Sequence, residues 1–537
     1  MAFLPSVLVA LRSLLHGSDR RRAVAEERAA AERYADGARA LERRLRASLS
    51  AAGTATIELG TSVDHGWKVA MRPERLGAHM LLVGPTGCGK SRFVVSILKG
   101  LLAAGEWRAV FLDPKAEGVE LSKRAVVAVG RALPAARRRA LYRSVVQVDL
   151  FGTRSLPRLN VLALQPGLDP EVQAYEVALL LTSELDQGVG VRQEAILHRV
   201  IECLIRGALP LTALPAVLEA PAILERLSER CGPFELFRST ADRLRRESKE
   251  RVLGLQSRAE RVLRLKATRL SLGASDCLDA SALLDLIALV GLSAPHGAAD
   301  VSRMIAGILW LLLSHAIRRR EDGAPTSHLV IDEFPTFLLG GGAHMASTIE
   351  ELLRLARSKG VYLKALSQDM VSLGKASSSL PEVLRANIHC FGIFRSVTDS
   401  AWDFVLPITG RRPKPKAAPW EEERGGFLER SAELTLLRQE LSRLPDRELM
   451  FADRRTGLPG VRMRTADLHL DATSEELAEL GEASRSHPML SSVEELERHY
   501  DATMRRLREL LGAAERGGAS EEDRGPVRRA RGKLGLG

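Results

Sequence analysis

The chain has 537 residues, too many for one ordinary hydrophobic core, so two or more domains are expected. Lys and Arg number 78 against 67 Asp and Glu, a net charge of +11 that favours a polyanionic partner such as nucleic acid or an acidic membrane surface. Cys88, Cys203, Cys231, Cys277 and Cys390 are scattered and form no CxxC pair. They indicate neither a zinc site nor a disulfide framework and fit a reducing cytoplasm.

In chain order, residues 1–52 read as a helical arm. The apolar run Phe3 to Leu15 is broken by Arg12, has no basic residue ahead of it and no small-residue cleavage site behind it, which argues against a secretory signal. Ala23 to Leu45 alternates Glu and Arg at the spacing of an exposed or coiled-coil helix. No segment is expected to reach the roughly 18 to 20 apolar residues that span a bilayer. Ile57–Gly60 and Trp67–Ala70 predict a small hairpin. Met80–Val83, Arg108–Asp113 and Ser144–Asp149 follow as short apolar strands. From about 165 to 280 the period becomes helical, as in Glu171–Glu184 and Gln193–Arg206, with basic helices from Arg243 to Arg269. Ile287–Val290 and His328–Ile331 return to strand character. A helix at Ser347–Ser358, strands at Tyr362–Leu366 and His389–Phe394, an exposed loop at Gly410–Gly426, a helix at Leu436–Leu444 and a strand at Glu448–Phe451 come next. Two helices after Thr473 lead to a tail rich in Gly and Arg.

Two motifs carry chemistry. Gly84-Pro85-Thr86-Gly87-Cys88-Gly89-Lys90-Ser91 fits the GxxxxGK[ST] phosphate-binding pattern, with a strand before it and a helical period after it. Glycines let amide N–H groups turn toward a phosphate, and the helix N-terminus adds its positive dipole end. Lys90 is then the residue for the β- and γ-phosphates, and the Ser91 hydroxyl a magnesium ligand, which makes ATP and Mg2+ the expected cofactors. Cys88 is either oxidation-sensitive or simply packed. Downstream, Val330-Ile331 ends in Asp332-Glu333. Asp332 suits the ion and Glu333 the attacking water, against the plainer reading of an exposed acidic pair at a strand end. The distance from Lys90 to Asp332 implies a helical domain inserted in the core.

With these residues in view, the chain resembles the coupling ATPases of conjugation and type IV secretion, within the FtsK- and HerA-type DNA pumps. The likeness is carried by Gly84–Ser91, Asp113-Pro114-Lys115, the helical insertion, Ile331-Asp332-Glu333-Phe334-Pro335, Arg357-Ser358-Lys359-Gly360 with Gln368, and Leu441-Ser442-Arg443-Leu444-Pro445. It implies an α/β fold: a RecA-like P-loop NTPase core on a twisted, mainly parallel sheet, with an inserted all-α domain and helical N- and C-terminal extensions. The expected partition is an arm at 1–52, core at 53–164, insertion at 165–282, core again at 283–472, helices at 473–516 and a tail at 517–537.

The resemblance further implies a homo-hexamer that pumps DNA without reading its sequence, with a relaxase or secretion-channel protein as further partner. Gln368 would be a sensor of the γ-phosphate, or only a polar strand-end residue. Arg357 would be an arginine finger acting in a neighbouring subunit, or a solvated arginine on a helix face near Glu350 and Glu351, with Arg395 as the rival finger. Gly374–Ser379 and the basic run Arg243, Arg245, Arg246, Arg251, Arg258 and Arg261 are the candidate contacts for DNA or cargo. Family members carry N-terminal transmembrane helices and this chain is read as lacking them. The expectation is therefore a cytoplasmic protein, with peripheral contact at the inner face of the membrane through its arm or a partner. Two alternatives stay open: a soluble FtsK/HerA-like ATPase in DNA processing or defence, and a nucleotide-gated recruitment platform that does not translocate.

Overall fold

The computed structural model describes residues 56–183, 191–231, 234–293, 298–339, 342–395, 430–458 and 460–517, together with Ala40 and residues 42–49. Most of the N-terminal arm, the loop Gly410–Gly426 and the tail after Gly517 lie outside the described residues. The chain divides into two units, one of Met1–Ala104, Ser367–Val371 and Ile388–His469, the other of Gly105–Leu366, Ser372–Asn387 and Leu470–Gly537.

In the first unit the strands run in the order Lys68–Met71, Ile57–Ser62, Val461–Thr465, Glu448–Asp453, Cys390–Phe394 and Met80–Val83. The first four junctions are antiparallel, and the last is parallel, with Ile393 opposite Val83. Met80–Val83 is buried along its whole length, which is why its sequence is an unbroken apolar run. The helix Lys90–Ala103 follows it and buries Phe93, Val94, Ile97, Leu98 and Leu101. Phe93 sits edge-on to Phe394 and Phe451, with ring centroids 6.3 and 6.4 Å away, so one aromatic cluster ties this helix to two strands.

In the second unit five parallel strands run in the order Val361–Ser367, Ser327–Ile331, Ala109–Asp113, Ile287–Gly291 and Val145–Asp149, and Ser155–Pro157 pairs antiparallel with Leu490–Ser492 in a separate sheet. Ser367, the last residue of its strand, belongs to the first unit. Parallel strands of one sheet need crossover connections, and helices Glu117–Arg131 and Ala135–Arg143 supply the one from Asp113 to Val145, two places along the sheet. The described residues between 170 and 272 lie mainly in helices: Pro170–Ser183, Val191–Arg206, Leu214–Glu219, Ala222–Cys231, Phe234–Arg246, Lys249–Leu263 and Lys266–Leu272. Arg506, on the C-terminal helix Val493–Gly517, donates to the carbonyls of Gly207 and Ala208 at 2.8 and 3.1 Å, just after the helix Val191–Arg206. The preceding helix, Ser474–Arg485, opens with a reciprocal cap in which Thr473 and Glu476 bond each other's amides.

One expectation is corrected. The helix Ala299–Arg319 is long and apolar enough to cross a membrane by composition, although no such segment was expected. Of its apolar stretch 83 % is buried inside the protein, so its all-round apolar surface is that of a core helix.

Asp453 tests the packing of the first unit. Its side chain is fully enclosed and accepts from Arg75 Nη2 at 3.0 Å and Arg455 Nε at 2.8 Å. Asp453→Ala leaves those guanidinium groups without their counter-charge, and we expect a loss of about 3 kcal/mol, read as a lower thermal denaturation midpoint. An unchanged midpoint would show that the cluster does not stabilise the fold.

Candidate nucleotide site

The phosphate-binding motif lies in the first unit, where the strand Met80–Val83 hands over to the helix Lys90–Ala103. Two contacts fix its first residue. Gly84 N donates to Ser367 O at 3.1 Å, and a Cβ on Gly84 would stand 2.6 Å from Phe394 Cβ, a clash no side chain can avoid. Gly89 is the N-cap of the helix at φ +107°, a left-handed conformation that glycine adopts without steric cost. Lys90 is only 7 % exposed. Its ammonium is satisfied by the loop itself, donating to Gly84 O at 2.6 Å and Pro85 O at 2.9 Å. Across the loop, Arg447 N donates to Cys88 O at 3.0 Å. The Arg447 side chain bonds Thr465 O, Ala466 O and the Asp467 carboxylate, at 3.2, 3.3 and 2.5 Å.

The acidic pair lies in the second unit, at the carboxyl end of Ser327–Ile331. Asp332 is 8 % exposed, its amide donates to Leu112 O at 2.9 Å, and its Oδ1 accepts the Glu333 amide at 2.9 Å. Glu333 is therefore not a loose acid at a strand end. It takes a left-handed φ of +50°, rare for a residue with a side chain. The short helix Phe334–Leu339 holds this turn, with Phe334 and Phe337 buried and the Glu333 carbonyl accepting the Thr336 amide at 2.8 Å. Lys115 Nζ lies 2.6 Å from Glu333 Oε1. Burial opposes the charge on Lys115, but the bond to Glu333 and the nearby Asp332 and Glu117 carry its pKa above the usual lysine value.

The other predicted residues fall as follows. Gln368 is exposed and directly follows Ser367, whose carbonyl receives the Gly84 amide, so it belongs to the same unit as the loop. Arg395 is exposed at the end of the strand parallel to Met80–Val83, also in that unit, and pairs with Asp446 at 3.4 Å. Arg357 is exposed, but the helix expected to carry it ends earlier, at Gly342–Leu355. It stands in the following turn, where its carbonyl accepts the Gly360 amide. The neighbours expected for it are engaged: Glu351 with Arg318 at 3.0 Å, and Glu350 with Ser379 at 2.6 Å. Gly374–Ser379 is not one polar loop. Gly374, Lys375 and Ala376 close the helix Val371–Ala376, and the serines at 377 and 379 bond Glu350. Part of the basic run is neutralised, since Arg245 bonds Glu225 through two nitrogens and Arg251 bonds Glu247 at 2.6 Å.

Residues 57–281 match the family model described as the central domain of the helicase HerA. The fold aligns with the bacterial conjugative coupling protein TrwBdeltaN70 in its unbound form at a TM-score of 0.50 and 15 % identity, over 79 % of this chain and 91 % of that one. For the plasmid coupling protein TrwB in complex with ADP and Mg2+ the values are 0.51 and 14 %, over 81 % and 93 %. VirB4 of Thermoanaerobacter pseudethanolicus aligns at 0.50 and 13 %, over 79 % and 99 %. No curated protein matches the chain by sequence.

This chain is a P-loop ATPase with a HerA-type domain. The HerA-type segment contains Gly84–Ser91 and Asp113–Lys115 and stops before Asp332. Two contacts of this ATPase had no sequence signal. Arg447 reaches the loop from far along the chain, and the Lys115–Glu333 pair joins residues 218 apart. Both depend on strand register, which composition does not record. Cys88, one of the motif's own residues, is 1 % exposed, and burial pushes its thiol above the ordinary value despite the nearby Lys90. It is packing, not a reactive thiolate. Iodoacetamide at pH 8 should leave Cys88 unmodified in the folded protein and alkylate it in guanidinium, as read by peptide mass spectrometry. Fast labelling of the folded protein would contradict the burial.

Proposed function

We propose that this ATPase is a DNA-translocating motor of the coupling-protein type, working as a homo-hexamer that moves DNA or a nucleoprotein substrate in conjugation or type IV secretion. The observation that carries the reading is a glycine loop opening a helix in a chain that also ends a parallel strand in an ordered Asp-Glu pair. The fold shared with the plasmid coupling protein TrwB, whose structure holds ADP and Mg2+, supports it, and the charge of +11 suits a DNA partner. In this reading residues 53–164 and 283–472 are the motor core and 165–282 an inserted helical domain for substrate.

Lys90 exchanges the carbonyls of Gly84 and Pro85 for β- and γ-phosphate oxygens, while the amides of Gly87 to Ser91 surround the phosphates. The Ser91 hydroxyl in the one unit and the Asp332 carboxylate in the other are each a hard oxygen donor of the kind Mg2+ takes, and the ion when bound would offset phosphate charge. Glu333 takes the proton of the attacking water. Gln368, beside the strand end that bonds Gly84, hydrogen-bonds the γ-phosphate or that water and reports its loss. Arg357, exposed in a turn, reaches the nucleotide of a neighbouring subunit.

Turnover separates these roles. Lys90→Ala should lose ATP binding, whereas Glu333→Gln should bind ATP and not hydrolyse it. Arg357→Ala should bind ATP and assemble normally while turnover falls on the order of 10³-fold. Mixing it with Lys90→Ala should restore part of the hydrolysis, because some interfaces then pair an intact loop with an intact arginine. Equal turnover in wild type and Glu333→Gln would overturn the assignment of the base, and mixed rings as inactive as both parents would overturn the finger.

A further inference from the structure

The Asp113-Pro114-Lys115 turn does more than connect a strand to a helix. Asp113 is fully buried, and its carboxylate accepts the amides of Lys115 at 2.8 Å, Gly118 at 2.6 Å and Val119 at 3.3 Å. Three amides fix the turn and cap the helix Glu117–Arg131. Ala116 is held at φ +62°, the same uncommon left-handed region that Glu333 occupies at +50°. The two strands ahead of these turns are parallel neighbours, with Leu112 opposite Ile331, and the Asp332 amide continues the ladder to Leu112 O. Lys115 and Glu333 are thus presented to each other by backbone that both strand ends hold in strained form. Such strain persists where the surroundings over-determine it, as at sites with a task. Glu333 is 13 % exposed and Lys115 45 %, so the carboxylate is largely withdrawn from solvent while the ammonium keeps a route away.

We infer that Lys115 is a positioning residue that restrains Glu333, so that opening of the Lys115–Glu333 ion pair frees the carboxylate to serve the attacking water. The inference rests on the assignment of Glu333 as the base. While the 2.6 Å bond stands, Glu333 Oε1 accepts from the ammonium, and the adjacent positive charge makes the whole carboxylate a poorer acceptor for a water proton. Breaking the pair moves no bond in the nucleotide and needs no co-reactant. It sets the fraction of molecules whose base is ready, a factor that enters kcat and leaves ATP affinity unchanged.

The test is steady-state hydrolysis of ATP by the full chain without DNA. A partly exposed ion pair biases such an equilibrium by roughly 2- to 5-fold, so Lys115→Met should raise kcat by about that factor with KM for ATP unchanged. Lys115→Arg, which keeps a cation on the same turn, should fall back toward the wild-type rate. Lys115→Gln carries the same expectation as the methionine variant if that variant loses binding of a fluorescent ATP analogue. A kcat equal to or below wild type in the variants that bind the analogue would overturn the restraint, a lower value marking Lys115 as a group that assists the reaction. The double variant Lys115→Met/Glu333→Gln should be inactive. Full activity of Glu333→Gln alone would remove the base assignment itself, a failure distinct from that of the restraint.

Discussion

The constraint on which the chemistry depends is the parallel ladder between Ala109–Asp113 and Ser327–Ile331. Hydrogen bonds along that ladder put Leu112 opposite Ile331, so the pairing between these two strands ends at one level. The residues that follow are polar because they stand at a carboxyl edge: Asp113 and Lys115 after one strand, Asp332 and Glu333 after the other. A slip of one residue would turn Asp332 to the opposite face and part Glu333 from Lys115. The apolar content of these strands is therefore also a positional device, since Val110, Leu112, Leu329 and Ile331 are buried and hold the register.

The first unit uses close approach to the same end. Phe394 and Gly84 are in contact because one has no Cβ, and the carbonyl of Ser367 takes the Gly84 amide. The loop is thus bound to strand Cys390–Phe394 on the side chain of Phe394 and to the residue before Gln368 through main chain. Phe93 then clamps the following helix against Phe394 and Phe451. Gln368 and Arg395, in the same unit, are carried by backbone that is already tied to the loop.

How much of this was legible follows from which forces are local. Met80–Val83, Ala109–Asp113 and Ser327–Ile331 announce themselves, because a strand covered on both faces needs a core of consecutive apolar residues, here Met80–Val83, Ala109–Leu112 and Leu329–Ile331. The motif Gly84–Ser91 is equally local, since its glycines answer to the φ of their own residues. The helix Ala299–Arg319 was not read as a long apolar segment, and composition alone would not have told a core helix from a spanning one. Arg357 was placed on a helix that ends at Leu355, an error of the size that frayed helix ends produce. Lys375, in the segment expected to contact DNA or cargo, lies in a short helix. The Lys115–Glu333 pair and the hold of Arg447 on Cys88 were not legible, because each is a contact that exists only once distant strands have found their register.

The central claim, that ATP hydrolysis moves DNA past this protein, is tested most directly by displacement of streptavidin from end-biotinylated DNA, single-stranded and duplex. The account predicts displacement from at least one substrate in the presence of ATP and Mg2+, and none with Glu333→Gln, which retains the nucleotide but does not turn it over. Brisk ATP hydrolysis by the wild type with streptavidin left in place on both substrates would contradict it.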